Sequence, residues 1–158
     1  EGHTLMINDV QYSSDGQMLV SCSSDNTIGI WNLETFKKVQ TLTINASQIL
    51  KARFSPDNRF IVSCSTDPVI RIWDIASGNI IRKFAGHLRT VTDVRYTQNA
   101  QTLISSSLDQ TIRLWDVQSG QEIQLLRGHR KPIIGIDITY NSRTIASCSA
   151  DKTILLWK

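Results

Sequence analysis

The chain has 158 residues, of which 41% are hydrophobic and 20% charged, a composition typical of a globular domain rather than a disordered chain. The formal net charge is only +3, the three cysteines are too few for a disulfide framework, and no apolar run approaches the roughly 20 residues that span a bilayer. We therefore expect an intracellular protein with reduced thiols and no membrane partner, in either the cytoplasm or the nucleus.

The first part of the chain predicts four short strands. An apolar run at residues 7–12 predicts the first strand, and turn-forming residues at 14–16 end it. A second run lies at 19–23, a tight turn follows, and further runs lie at 27–31 and 37–43. Because each run has the usual length of a strand and no segment keeps a helical period, the sequence predicts an all-β chain without helices.

The same pattern recurs along the chain without insertions or deletions. The four tryptophans are separated by 42 residues each time, as Trp31, Trp73, Trp115 and Trp157. Aspartate and serine follow the same spacing, as Asp25, Asp67, Asp109 and Asp151 and as Ser21, Ser63, Ser105 and Ser147. A fixed period of this length indicates tandem structural repeats, which divide the chain at about 1–43, 44–85, 86–127 and 128–158.

Two dipeptide motifs in these repeats resemble those of the WD-repeat family. A Gly-His pair precedes the first strand of three repeats, and a Trp-Asp pair ends the third strand of two. The pairs are Gly2-His3, Gly86-His87 and Gly128-His129, and Trp73-Asp74 and Trp115-Asp116. The resemblance covers the whole chain and implies β-propeller blades of four antiparallel strands. It singles out no particular member of the family.

The number of predicted strands indicates part of a larger propeller. Every repeat supplies its first three strands, but the last repeat, 128–158, lacks a fourth. Propellers of this family close by adding a strand from one terminus to the blade at the other, and no spare strand is predicted for that purpose. We therefore expect an open arc rather than a closed ring of four blades, with exposed ends that are covered by self-association or by further blades of a parent chain.

The resemblance also implies a structural hydrogen-bond network in each repeat. In the family, the histidine before the first strand bonds the turn aspartate, and its ring reaches a strand serine that bonds the tryptophan. The matching residues are His3, Ser21, Asp25 and Trp31; Asn45, Ser63, Asp67 and Trp73; His87, Ser105, Asp109 and Trp115; and His129, Ser147, Asp151 and Trp157. Since Asn45 is shorter than histidine and has no ring, we expect the second repeat to hold its loop less firmly, and Asp109→Ala to destabilise the fold more than Asp67→Ala.

Some of these residues have the types found in catalytic or metal sites. Ser21, His3 and Asp25 match a hydrolase triad, but a set that recurs in several repeats is expected to serve the scaffold. Arg71 and Arg113 each lie two residues before a tryptophan, on the same strand face, and are expected to stack on aromatic surface. The cysteines share one repeat position, as Cys22, Cys64 and Cys148, so they lie in different blades and cannot converge on zinc. We therefore expect no enzymatic activity, no metal and no cofactor.

A partner-binding surface is also implied by the family. Partners often bind the face where the loop before the first strand meets the turn after the second, here called the loop–turn face. The third and fifth residues after the histidine and the residue before the turn aspartate point there. In this chain they are Met6, Asn8 and Ser24; Gln48, Leu50 and Thr66; Thr90, Thr92 and Leu108; and Pro132, Ile134 and Ala150. None of them is charged, which argues against a reader of phosphate and for a protein interface.

These observations predict a non-enzymatic scaffold that binds other proteins or peptides within a larger complex. Leu50, Leu108 and Ile134 are the predicted anchors, and replacing each with aspartate is expected to weaken binding while leaving melting nearly unchanged. The alternative is a reader of nucleic acid or of basic or phosphorylated peptide tails. The densest basic segment, 127–131, is short and is expected to be a solvated loop, which argues against nucleic acid.

Overall fold

The computed structural model describes residues 2–45 and 47–158, which form strands joined by turns and loops. None of these residues forms a helix that could cross a membrane. The strands are β1 (Ile7–Tyr12), β2 (Met18–Ser23), β3 (Thr27–Asn32), β4 (Lys37–Thr43), β5 (Ile49–Phe54), β6 (Phe60–Ser65), β7 (Val69–Asp74), β8 (Ile80–Ala85), β9 (Val91–Tyr96), β10 (Thr102–Ser107), β11 (Thr111–Asp116), β12 (Glu122–Arg127), β13 (Ile133–Ile138), β14 (Ile145–Ser149) and β15 (Ile154–Trp157).

Consecutive strands pair into four separate antiparallel sheets. The first three sheets each contain four strands, β1–β4, β5–β8 and β9–β12, and the last contains three, β13–β15. The first strands of successive sheets lie beside one another, so they form the inner rim of the assembly. The prediction of an all-β chain built from antiparallel propeller blades is therefore confirmed.

The turn after the second strand differs in the second blade. In the other three blades, the residue after the turn aspartate has a left-handed backbone, with φ of 69° at Asn26, 71° at Gln110 and 69° at Lys152. The equivalent residue of the second blade is Pro68, whose ring holds φ near −65°. The turn of the second blade therefore has a different backbone conformation from the other three turns. Its aspartate also has different hydrogen-bond donors.

The hydrophobic core lies between neighbouring blades. Three separate clusters of buried side chains fill the contacts of the first blade with the second, the second with the third and the third with the fourth. In the first cluster, Ile28 and Ile30 of β3 meet Ile49 and Ile61 of the second blade, and all four are fully buried. No cluster joins the first and fourth blades within residues 2–45 and 47–158. The sheets do not close into a ring, as expected for part of a larger propeller.

Ion pairs on the inner strands add to these contacts. Asp9 of β1 pairs with Lys51 of β5, with 3.4 Å between Oδ1 and Nζ, and also with Arg53 of β5. Arg95 of β9 pairs with Asp137 of β13, with 3.2 Å between Nη1 and Oδ1. Because each pair joins two blades, the inner rim is held by charge as well as by the apolar clusters.

Candidate functional site

The loop before the first strand and the turn after the second are joined in every blade by one backbone hydrogen bond. The turn N–H donates to a loop carbonyl at 2.9–3.0 Å: Ser24 to Met6, Thr66 to Gln48, Leu108 to Thr90, and Ala150 to Pro132. All eight residues belong to the predicted partner-binding positions. The structure therefore brings two of the three predicted positions together in each blade, on the loop–turn face.

A network of side chains fixes this junction in the third blade. Nδ1 of His87 lies 2.8 Å from Oδ2 of Asp109, and its Nε2 lies 2.7 Å from Oγ of Ser105. The same Oγ accepts the indole N–H of Trp115 at 2.8 Å, and Asp109 also accepts the backbone N–H of Leu88 at 3.0 Å. Because a carboxylate only accepts, Nδ1 carries the proton and Nε2 accepts from the serine hydroxyl. The hydrogen bonds thus run without a break from the tryptophan to the loop.

The first and fourth blades repeat this geometry. The Nδ1–Oδ2 distances are 3.0 Å for His3 and Asp25 and 2.9 Å for His129 and Asp151. The Nε2–Oγ distances are 2.7 Å for His3 and Ser21 and 2.8 Å for His129 and Ser147. Trp31 and Trp157 donate to these serines at 2.8 and 2.9 Å. The four residue types expected from the family therefore meet in three of the four blades.

In the third and fourth blades, the glycine before the histidine makes room for the tryptophan ring, whereas a Cβ added to Gly2 would meet no atom within 4 Å. A Cβ added to Gly86 would lie 2.9 Å from Cη2 of Trp115, and one added to Gly128 would lie 2.8 Å from Cη2 of Trp157. Both distances are shorter than real Cβ contacts, so larger residues are excluded unless the ring moves. The second blade has Ile44 at this position, and Ile44 is buried in the core between the first and second blades.

In the second blade, an arginine holds the turn aspartate. Arg71 donates through Nη2 to Oδ2 of Asp67 at 2.6 Å and through Nη1 to Oδ1 at 2.9 Å. Its Nη1 also donates to Oγ of Ser65 and to the carbonyl oxygen of Val69. Asn45, which stands at the histidine position, is exposed. Burial raises the pKa of Asp67, but the hydrogen bonds from Arg71 and Ser65 outweigh burial and bring it below its ordinary value.

A threonine position that the sequence analysis did not single out explains this replacement. Thr27, Thr111 and Thr153 donate their hydroxyl hydrogens to the turn aspartates of their blades at 2.6, 2.5 and 2.6 Å. The second blade has Val69 there, so it lacks both the threonine and the histidine donor. Arg71 donates two hydrogen bonds to Asp67 in place of those two donors. Its role therefore differs from the expected stacking on aromatic surface. Loss of two donors in one repeat, beside an arginine on the following strand, is the signal that would have identified it.

The fifth position after the histidine turns toward the next blade. Nδ2 of Asn8 donates to the carbonyl oxygen of Ile49 at 2.7 Å, and Oγ1 of Thr92 donates to that of Ile133 at 2.9 Å. The equivalent Leu50 packs against the core between the second and third blades. Leu50→Asp is therefore expected to lower stability as well as binding, and other positions on the loop–turn face give cleaner tests.

A comparison with known sequence families identifies the family of this chain. A family model described as WD domain, G-beta repeat matches residues 1–32, 36–74, 78–116 and 120–158. The chain belongs to the WD-repeat family. Repeats of this family generally mediate protein–protein interaction and scaffolding, and proteins of the family are generally non-catalytic. A comparison with curated proteins found no match. Each matched segment ends one residue after the third-strand tryptophan, so the family model groups each fourth strand with the following blade.

The WD-repeat junction of the third blade has the residue types of a catalytic triad, but its serine is not exposed. Ser105 is fully buried, and its oxygen already accepts the Trp115 N–H. Nucleophilic catalysis needs an exposed nucleophile beside an oxyanion hole. The hydrogen bonds that make this serine resemble a nucleophile therefore hold it in the scaffold.

The cysteines of this WD-repeat chain are isolated thiols. Cys22 and Cys64 are buried and Cys148 is exposed, and burial raises the pKa of Cys22 to about 12. In the part of the chain that the structure describes, no group of three or more His, Cys, Asp or Glu side chains could hold a metal ion. The different exposure of the three thiols makes Cys148 a selective site for labelling.

The charge state of the WD-repeat junction makes stability fall in acid. Burial raises the pKa of Asp109, but hydrogen bonds from Thr111, the Leu88 N–H and His87 outweigh it and bring the pKa to about 2, below the value of about 3.9 in unfolded chains. Burial lowers the pKa of His87. With both values lowered on folding, the unfolded chain binds more protons. As the pH falls, the stability that the lowered pKa of His87 contributes to the fold is lost below about pH 6.5. The stability that Asp109 contributes is lost between about pH 5 and pH 2.

Urea unfolding of the wild type and Asp109→Asn from about pH 7 to about pH 3 tests this dependence. Asparagine keeps the size of the side chain but removes its charge. We expect the wild type to be more stable near neutral pH and to lose more stability on acidification, so that the two curves converge. Parallel curves would show that Asp109 gains nothing from its ionised state in the fold.

Proposed function

We propose that the chain is a scaffold that binds proteins or peptides through the loop–turn face, within a larger intracellular complex. The observation that carries this proposal is the chemistry of the face, whose twelve predicted positions are uncharged and not buried. Met6 is 70% exposed and Ile134 is 54% exposed. An uncharged surface with exposed apolar side chains suits the centre of a protein interface, where charge is depleted and methionine is enriched.

Hydrogen bonds join the backbone of the loop to the turn on this face, which also supports binding. The carbonyl of Met6 is joined to Ser24, and the loop N–H of Thr4 donates to Asp25 at 2.9 Å. Asp25 is itself bonded to His3. A surface that is ordered before binding loses less conformational entropy on association, so loops fixed in this way favour recognition.

Aspartate substitutions at Met6 and Leu108 test the proposal. Both residues lie on the loop–turn face, and neither belongs to a core cluster. Proteins captured from a cell extract by the wild-type chain are identified, purified and titrated against each variant. We expect Met6→Asp or Leu108→Asp to weaken binding about tenfold or more, as a central interface residue does, with thermal melting unchanged.

Tyr140→Asp is the matched control for these variants. Tyr140 is 83% exposed and lies in the turn between β13 and β14, at the opposite end of the blade. It introduces the same charge without touching the loop–turn face, so binding is expected to persist. Loss of binding in Tyr140→Asp but not in the other two variants would move the site to the opposite face.

The alternative function would use basic residues that lie beside the loop–turn face. Arg89, Arg130 and Lys131 are exposed in the loops before β9 and β13. Binding to nucleic acid or to phosphorylated tails through these residues would weaken steeply as salt rises. Binding that is lost in high salt and in Arg130→Glu, but kept in Met6→Asp, would support this alternative over the protein scaffold.

A further inference from the structure

A cavity of about 200 Å³ lies between the second and third blades, at the end of the blades opposite the loop–turn face. This blade 2–3 cavity is defined by six side chains, Phe60, Ile72 and Ile81 of the second blade and Tyr96, Ala100 and Val117 of the third. Phe60, Tyr96 and Val117 also pack against the core between these blades, whereas Ile81 is 51% exposed. The cavity therefore extends from the edge of the core toward the surface.

A hydrogen bond that joins the other neighbouring blades at this end is absent beside the cavity. A turn side chain of one blade accepts a backbone N–H of the blade before it, as Asn58 from Ser14 at 3.0 Å and Ser142 from Gln98 at 3.1 Å. Between the second and third blades, the equivalent residues are Ala100 and Pro56. Since proline has no N–H and alanine has no side-chain acceptor, the short side chain of Ala100 leaves this edge of the cavity unbridged.

The backbone of Ala100 is unusual for alanine. Its φ is 58°, close to the 57° of the equivalent Asn58 and Ser142. The left-handed region is sterically costly for residues with a Cβ and is visited most readily by glycine and asparagine. The turn thus keeps a small apolar side chain at a position where the backbone favours another residue. A residue held in an unfavourable conformation is a reason to look for a function at that place.

Tyr96 supplies a buried polar atom at the same place. Its hydroxyl oxygen is buried and has no hydrogen-bond partner within residues 2–45 and 47–158. Burial raises the pKa of Tyr96, and the charge of Asp57, which also lines the cavity, raises it further. The hydroxyl is therefore a protonated donor near neutral pH. At the other two blade interfaces, the equivalent residues are Phe54 and Ile138, so only this interface has a hydroxyl to satisfy.

Two residues of opposite charge complete the lining of the cavity, Asp57 and Arg82. A negatively charged ligand would lie close to Asp57, and a positively charged ligand would lie close to Arg82. Because like charges repel each other in a partly buried site, this pair of residues favours an uncharged ligand.

We propose that the blade 2–3 cavity binds a small uncharged organic molecule with one aromatic ring and one oxygen acceptor. The ring lies between the apolar walls, and the oxygen accepts the hydrogen of the Tyr96 hydroxyl. An apolar cavity of about 150 Å³ is large enough for one benzene ring, whereas pockets for drug-sized ligands have roughly 300–1,000 Å³. The volume of this cavity therefore suits a single ring with a short substituent.

Two probes of nearly the same shape test the proposal. Acetophenone carries a carbonyl oxygen, and isopropylbenzene has a methyl group in its place. Each is titrated into the isotope-labelled chain, and the amide signals of Ala100 and Val117 are followed by NMR. We expect both probes to give saturable shifts and acetophenone to bind about tenfold more tightly, as one additional hydrogen bond provides. Equal affinities, or no saturable binding of either probe, would overturn the proposal.

Tyr96→Phe removes the hydroxyl and leaves the ring that the second blade already has as Phe54, so the variant is expected to fold. It should weaken acetophenone about tenfold and leave the affinity for isopropylbenzene unchanged. Tyr140→Phe removes a hydroxyl from an 83% exposed ring outside the cavity and is expected to change neither affinity. If Tyr96→Phe leaves the affinity for acetophenone unchanged, or weakens both probes equally, the proposed hydrogen bond is wrong.

Filling the cavity tests its location. The double variant Ala100→Asn, Val117→Ile introduces the residues that the second blade has at these positions, Asn58 and Ile75. Both probes are expected to bind at least tenfold more weakly, without a fall in the melting temperature. Unchanged binding would place the probes elsewhere and contradict the proposal. Proteins captured by the wild type but lost in this variant, with no binding of either probe, would instead assign the cavity to a side chain of a partner protein and overturn the proposal.

Discussion

Replacing Asp67 with alanine is expected to lower the free energy of unfolding by about 3 kcal/mol or more, because it leaves a buried charge without its partner. Arg71 is only 8% exposed, and both of its terminal nitrogens donate to Asp67. Without the carboxylate, the guanidinium keeps the Ser65 hydroxyl and the Val69 carbonyl as acceptors, and neither carries charge. The second blade is then at least as sensitive as the third, which reverses the expectation drawn from Asn45.

Urea unfolding of Asp67→Ala, Asp109→Ala and the wild type compares the two blades. Asp67→Ala is expected to cost as much as Asp109→Ala or more. The double variant Asp67→Ala, Arg71→Met should recover part of the loss, since a buried ion pair can often be replaced by apolar side chains of similar volume at little cost. A cost for Asp67→Ala below about 1 kcal/mol, in the range of an ordinary hydrogen bond, would mean that Arg71 finds other partners.

Replacing Trp115 with alanine is expected to cost about 4 kcal/mol, within the range for deleting a buried aromatic side chain. Trp115 is 2% exposed, packs edge to face with Phe84 at 5.9 Å between ring centroids, and donates to Ser105. Its removal leaves a cavity between the second and third blades. It also leaves the buried Ser105 with one hydrogen bond fewer.

Trp31→Ala is the matched control, because Trp31 makes the same bond to its serine but lies on the uncovered side of the first blade and is only partly buried. Trp31→Ala is expected to lower the free energy of unfolding about half as much as Trp115→Ala, because less apolar surface returns to water on unfolding. Both variants are measured by urea unfolding beside the wild type. Equal losses would show that the greater exposure of Trp31 does not lower its contribution to the free energy of unfolding.

Much of this fold could be predicted from the sequence because each blade repeats one set of local requirements. The predicted fourth strand of the first blade, Lys37–Thr43, has the same bounds in the structure. The Gly-His motif reflects the space needed by the tryptophan ring beside Gly86 and Gly128. These requirements lie within single repeats, so a fixed spacing reveals them.

Features that depend on several simultaneous changes could not be predicted from one repeat at a time. Pro68 changes the turn, Val69 removes a hydroxyl donor and Asn45 removes the histidine, and Arg71 compensates for these losses together. The packing of Leu50 was also missed, because the repeat position alone does not tell whether the side chain faces the partner or the next blade. Asn8 at the same position uses a hydrogen bond where Leu50 uses apolar contact.

The separation of the core into three clusters has a consequence for local unfolding. Each middle blade shares a core with two neighbours, whereas each end blade shares one. In repeat proteins with nearest-neighbour packing, stability is approximately a sum over units and their interfaces. Detaching an end blade breaks one interface, and opening a middle blade breaks two. We therefore expect amide hydrogens of β6 and β10 to exchange with solvent more slowly than those of β2 and β14. A ligand that bridges the loops of several blades is expected to slow exchange most in the end blades.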